Sequence, residues 1–156
     1  MLDLIIKNGK CYIDGQLKDV NISVKDGKIQ KIGQITEDAK DTIDATGLIV
    51  LPGCMDTQTH FREPGSTDTE DLHSGSRAAI VGGITSVFEM PNTNPPTSTK
   101  KEFQRKLDLA KNRMYCNYAF YFGATADNAN ELADLKNLEG CCGIKLFAGS
   151  STGNLL

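Results

Sequence analysis

The chain has 156 residues, 39% of them hydrophobic, and a formal net charge of −3. That is enough for a compact domain with a core, and the mild acidity excludes the basic patch or stripe on which nucleic-acid binding depends. No stretch is long and apolar enough to span a bilayer. The opening run MLDLIIKNGK lacks the basic start and extended apolar centre of a signal peptide, so a cytoplasmic protein is expected.

Residues 1–50 read as short strands. Leu2, Leu4 and Ile6 alternate with Asp3, Ile5 and Lys7, and Asp14-Gly15 then marks a turn. Val20, Ile22 and Val24 alternate with Asn21, Ser23 and Lys25, and Asp26-Gly27 marks a second turn before Ile29 and Ile32. Asp-Gly between alternating runs is a strong hairpin signal. The segment has little apolar material for a core of its own and is expected to join a sheet completed by other residues. It reads as the N-terminal part of a small β-sandwich, residues 1–50.

From residue 51 a second domain is expected. The run LIVL at 48–51 is continuously apolar, the mark of a strand buried on both faces. A helix is predicted over 70–81, stopped by Gly82-Gly83, then a strand over 85–89. A helix over 98–112 follows, capped by Ser98, with Phe103, Leu107 and Ala110 on one face. Lys100, Lys101, Arg105 and Lys106 read as its solvated side. A strand over 118–122, a helix over 128–138 with Leu132, Leu135 and Leu138 inward, and a strand over 143–147 complete the series. Strand and helix alternating in this way imply a parallel sheet with helices packed outside it. A closed (β/α)8 barrel needs about eight such units and typically about 250 residues. The alternation here stops after the fourth strand, so the expectation is α/β, the first half of a TIM-type barrel. The five cysteines, Cys11, Cys54, Cys116, Cys141 and Cys142, match no zinc-knuckle spacing and are expected to be reduced and mostly buried.

In parallel α/β folds the chemistry gathers at the carboxyl ends of the strands. The first strand delivers Gln58, His60 and Arg62, and the second delivers Glu89 and then Asn92. The third delivers Gly123-Ala124-Thr125, and the fourth Lys145 and the small polar loop over 148–154. Gln58 and His60 are two apart and share a strand face. Only one of them is an imidazole, and a neutral amide oxygen is a poor zinc ligand. On the residues alone, His60 fits a packed or hydrogen-bonded histidine as well as a metal ligand. Arg62 beside Glu63 fits a surface ion pair, Asn92 between prolines a shaped turn, and Lys145 an exposed strand-end lysine.

PGCMDTQTHFREPG at 52–65, FEMPNTNPP at 88–96 and GIKLFAGSSTGNLL at 143–156 together resemble the dihydroorotase branch of the amidohydrolase superfamily, in order and over essentially the whole chain. Hydantoinases, dihydropyrimidinases and allantoinases are near relatives of that branch. The resemblance implies a small β-sandwich ahead of a metal-dependent barrel, and interconversion of N-carbamoyl-L-aspartate and L-dihydroorotate in pyrimidine biosynthesis. It puts Gln58 and His60 at the first-strand metal-ligand positions. It makes Arg62 and Asn92 the holders of the substrate carboxylate, a role that suits the planar fork of arginine. It makes Lys145 a lysine that many members carboxylate to bridge two zinc ions. Gln58 stands where that pattern has histidine. The later histidine ligands and the aspartate that acts as general acid/base have no counterpart among residues 1–156, so no catalytic residue is assigned and negligible turnover by this chain alone is expected. A second chain or self-association would then complete the barrel. The alternatives are a non-catalytic partner of aspartate carbamoyltransferase and a hydantoinase- or dihydropyrimidinase-type fragment.

Overall fold

The computed structural model describes residues 1–151 and 155 and divides into two compact units, Met1–Pro52 and Gly53–Leu156. Thr152, Gly153 and Asn154, expected in the loop after the last strand, lie outside the described residues.

The first unit consists of seven strands: β1 (Leu2–Lys7), β2 (Lys10–Ile13), β3 (Gln16–Asp19), β4 (Asn21–Lys25), β5 (Lys28–Gly33), β6 (Ala39–Asp44) and β7 (Ile49–Val50). They form a four-stranded sheet in the order β5-β4-β1-β6 and a three-stranded sheet in the order β3-β2-β7. Both Asp-Gly pairs make the expected two-residue hairpins. Asp14 and Gly15 have φ of 52° and 79°, and Asp26 and Gly27 have 50° and 72°. The left-handed conformation at both turn positions suits the twist of the flanking strands, and Asp and Gly tolerate it best. Buried apolar material amounts to Leu2, Ile5, Cys11, Ile22 and Ala45.

The LIVL run does not form a doubly buried strand. Only Ile49–Val50 is extended, and it pairs parallel with β2. Leu48, Ile49 and Leu51 are about 60% exposed. A continuous apolar run reports burial demand without saying which sheet it joins. The selecting feature is Gly9, where a Cβ would sit 2.8 Å from both Ala45 Cβ and Val50 Cγ2, so the absence of a side chain lets β7 approach.

The second unit alternates strand and helix: β8 (Cys54–Thr59), α1 (Leu72–Val81), β9 (Ile84–Glu89), α2 (Lys100–Ala110), β10 (Asn117–Gly123), a 3₁₀ stretch Ala129–Asn137, and β11 (Cys141–Lys145). The strands lie in the order β11-β10-β9-β8, all parallel, the arrangement of half a barrel. One face carries the core. Val87, Phe120 and Phe122 meet Leu72 of α1, Phe103 and Ala110 of α2, and Leu135. The Phe103 ring packs against Phe120 and Phe122 at centroid distances of 6.3 and 6.1 Å.

Helix starts follow side-chain capping. Asp71 and Ser74 form a reciprocal capping box at α1. At α2 the cap is Thr99, whose hydroxyl accepts from Glu102 N at 3.1 Å, and not Ser98. The Ser98 carbonyl is occupied instead by Asn128 Nδ2 at 2.9 Å. The predicted third α-helix is a 3₁₀ stretch. Leu132, Leu135 and Leu138 recur every third residue, so a three-residue turn aligns all three on one side, and Leu135 is buried there with the other two packed beside it. All five cysteines are free, but only Cys11 and Cys116 are buried; Cys54 is exposed and Cys141 and Cys142 are half-buried.

Candidate functional site

The parallel register sets which side chains leave the sheet on which side. Thr59 pairs with Glu89, and Met90 N donates to Thr59 O at 2.9 Å, so β8 and β9 end level with each other. Phe61 turns into the helix-side core, where its ring lies against Gly75 of α1. By alternation, Gln58, His60 and Arg62 leave on the opposite side.

Two loops meet there. Asn94 N donates to Pro64 O at 2.9 Å, joining the loop after β9 to the loop after β8. His60 Nδ1 lies 2.9 Å from Asn92 Oδ1. A carboxamide oxygen only accepts, so the Nδ1 position carries the proton and the lone pair is left on Nε2. Beside this pair is a cavity of about 130 Å³ lined by Arg62, Pro64, Ser66, Asn92, Thr93 and Asn94. Arg62 is exposed and makes no ion pair among the described residues. Its neighbour Glu63 is not its partner. Glu63 is buried and receives both guanidinium nitrogens of Arg113, at 2.9 and 3.0 Å, and the Leu72 N–H at the start of α1. That bond raises Arg113 further above its ordinary value, and it fixes the backbone next to Arg62.

Sequence reasoning missed a second anchor. Glu89, expected among the strand-end polar groups, turns into the helix-side core, and Lys106, expected in solvent, meets it there with both side chains 0% exposed. The ammonium lies 2.5 Å from Glu89 Oε2 and donates to Met90 O at 3.2 Å and Thr97 Oγ1 at 3.4 Å. Burial pushes the Glu89 carboxyl up to about 8 against the pull of Lys106, and burial pushes Lys106 down. The available signal was spacing: Phe103, Lys106 and Ala110 fall at i, i+3 and i+7 on the buried stripe of α2.

The other predicted site residues do not line that cavity. Gln58 is exposed at the end of β8. Lys145 ends β11 opposite Gly123, and its ammonium sits 5.0 Å over the Phe147 ring. β8 and β11 are the two edges of the sheet, so Lys145 and His60 stand at opposite edges. Thr125 and Asn128 bond each other, Asn128 Oδ1 accepting from Thr125 N at 2.8 Å, and do not reach the cavity. His73 faces Tyr115, its Nε2 3.2 Å from the phenol oxygen.

These residues do not by themselves make a zinc centre. His60 is the one imidazole among them, Gln58 offers a neutral amide, and the Lys145 ammonium lies on an aromatic ring. Among the described residues no three His, Cys, Asp or Glu side chains converge.

The Amidohydrolase family profile matches residues 49–144. The chain is 42% identical over 149 residues to an allantoinase of Escherichia coli O1:K1, an alignment covering 95% of this chain and 33% of that one. It is 41% identical over the same length to an allantoinase of Salmonella choleraesuis. Its fold superposes on an L-hydantoinase (dihydropyrimidinase) from Arthrobacter aurescens with a TM-score of 0.89 at 33% identity, over 99% of this chain and 35% of that one. A D-hydantoinase gives a TM-score of 0.78 at 30% identity. With the parallel half-barrel and the profile match in agreement, the chain belongs to the amidohydrolase family. It spans about a third of the length of the allantoinases it matches.

Proposed function

We propose that this chain supplies the first strands and two substrate-facing loops of a cyclic amidohydrolase, an enzyme that opens or closes a small ring at an amide C–N bond. The observation that carries the proposal is the cavity where Arg62 and Asn92 meet beside His60, at the carboxyl ends of adjacent parallel strands. The guanidinium binds a carboxylate, or a ureide carbonyl, through paired N–H groups. Asn92 already spends its oxygen on His60 and keeps its two amide hydrogens for an acceptor. His60 is held with Nε2 bare.

The relatives carrying the names allantoinase and hydantoinase favour a neutral cyclic ureide. Dihydroorotate, expected from the motifs, is the second reading, and the unpaired Arg62 favours it because it is an acid. Zinc dependence, with Gln58 and His60 as ligands and Lys145 as a carboxylated bridge, belongs to this proposal through the resemblance alone. The two small sheets of residues 1–52 are proposed as part of the family's β-sandwich, and further strands, from this or another polypeptide, as partners for the edges β8 and β11. No helix among the described residues is long and apolar enough to cross a membrane.

Calorimetric titration of the chain with allantoin, hydantoin and dihydroorotate tests the reading. At least one ring is expected to bind, at least tenfold more weakly after Arg62→Met. Preference for dihydroorotate that vanishes in Arg62→Met supports the acidic substrate. Absence of binding by all three, or affinity indifferent to Arg62, overturns the proposal.

A further inference from the structure

Lys106 does more than neutralise Glu89. An ammonium has three protons to donate; here it donates to Met90 O and Thr97 Oγ1 while its charge lies against Glu89 Oε2. Met90 and Thr97 are the two ends of the loop after β9. The loop is closed on itself above them. Thr93 N and Thr97 N both donate to Pro91 O at 2.9 Å, the Thr93 hydroxyl donates to Pro95 O at 2.9 Å, and Thr93 and Thr97 hydroxyls lie 3.3 Å apart. Its far end is pinned to β10 by Gly123 N donating to Thr97 O at 2.8 Å. Asn92, in the middle, reaches His60. An apolar side chain at position 106 would fill the same space but leave Met90 O and Thr97 Oγ1 without this donor, and unmatched buried acceptors are costly.

We propose that Lys106 is a positioning residue of the candidate site: from the helix side of the sheet it ties both ends of the loop from Met90 to Thr97 and thereby holds Asn92 against His60. The meaning of that loop as a substrate element rests on the proposed function above, whereas the tie itself does not.

The test uses the chain as it stands, with two variants. Lys106→Met/Glu89→Gln removes both charges, so neither is stranded in the core. Thr97→Val keeps the ion pair and removes one tie. Amide exchange at Asn94 and Thr97 and the nitrogen-15 signals of the His60 ring are read beside the melting temperature. The double variant is expected to melt within a few degrees of the wild type, to exchange at Asn94 and Thr97 at least tenfold faster, and to lose the Nδ1–H preference of His60. Gly75 in α1 is expected to exchange as before. Thr97→Val is expected to give a threefold or larger effect at the same positions, and it decides the matter if the double variant does not fold. Exchange within twofold of the wild type in a folded variant, with an unchanged His60 ring, overturns the proposal. If the loop loosens while the wild type binds no cyclic ureide or dihydroorotate, the tie stands and the functional reading falls. If such a ring binds and the loop is unmoved, the reverse holds.

Discussion

Replacing Lys106 alone by Met strands Glu89 in the core, and the cost depends on pH. Burial has already pushed the Glu89 carboxyl from 4.5 to about 8, although Lys106 pulls it down through both charge and hydrogen bond. Without Lys106 both lowering influences vanish. A carboxyl whose folded-state value lies above its unfolded one binds more protons folded than unfolded, so its stability is fully present below about 4.5 and is lost as pH rises towards the folded value. In the wild type the depressed value of Lys106 works in the opposite sense. At pH 8 the stranded carboxyl must hold a proton that the unfolded chain has given up, and removing one member of a buried pair costs roughly 3–5 kcal/mol. At pH 5 the stranded acid is neutral, and the remaining cost is that of unsatisfied polar groups, about 1–3 kcal/mol. For a domain of roughly 100 residues these correspond to losses in melting temperature of about 15 °C and about half that or less. Thermal unfolding followed by circular dichroism at both pH values, with Lys106→Met/Glu89→Gln as control, measures the difference. Equal losses at pH 5 and pH 8, or a single variant indistinguishable from the double one at pH 8, would refute the reasoning.

The loop after β8 gives a parallel expectation. Arg113→Ala removes both bonds to Glu63 and is predicted to cost about 1–2 kcal/mol, discounted because the guanidinium is partly exposed; the urea midpoint measures it, and an unchanged midpoint contradicts the anchor. Gly75→Ala would put a Cβ 2.6 Å from Phe61 Cδ1 and is predicted to destabilise the second unit by about 1–3 kcal/mol through overpacking; a neutral effect in the same unfolding experiment would mean that Phe61 is not seated on α1. Gln58→His would place a second imidazole two residues before His60, and a chelator-competition titration is expected to show zinc bound at least tenfold more tightly. Equal affinity would mean that the two side chains do not share a face.

The parallel sheet and most of its elements were legible because each rests on local chemistry: two Asp-Gly turns, the Gly82-Gly83 stop after α1, an apolar stripe on α2. What was not legible depends on partners far away in sequence. LIVL at 48–51 announces burial, but β2, made thirty-odd residues earlier and admitted by Gly9, decides where Ile49 and Val50 pair. The leucines at 132, 135 and 138 fit a helix of either pitch, and their three-residue spacing settled on 3₁₀. At the site, Arg62 and Asn92 could be named from motifs, while Lys106, on α2, and Arg113, in the turn after it, could not, because a charged residue reads as solvated until its buried carboxylate is found.

The most direct examination of the central claim is side-chain nitrogen-15 NMR during titration with dihydroorotate, allantoin and hydantoin. The Arg62 Nε–H, the Asn92 amide and the His60 ring are predicted to shift together along one saturating curve with at least one of these rings, while Lys145 stays still. Independent curves for Arg62 and Asn92, or no movement at either with any ring, would contradict a shared cavity.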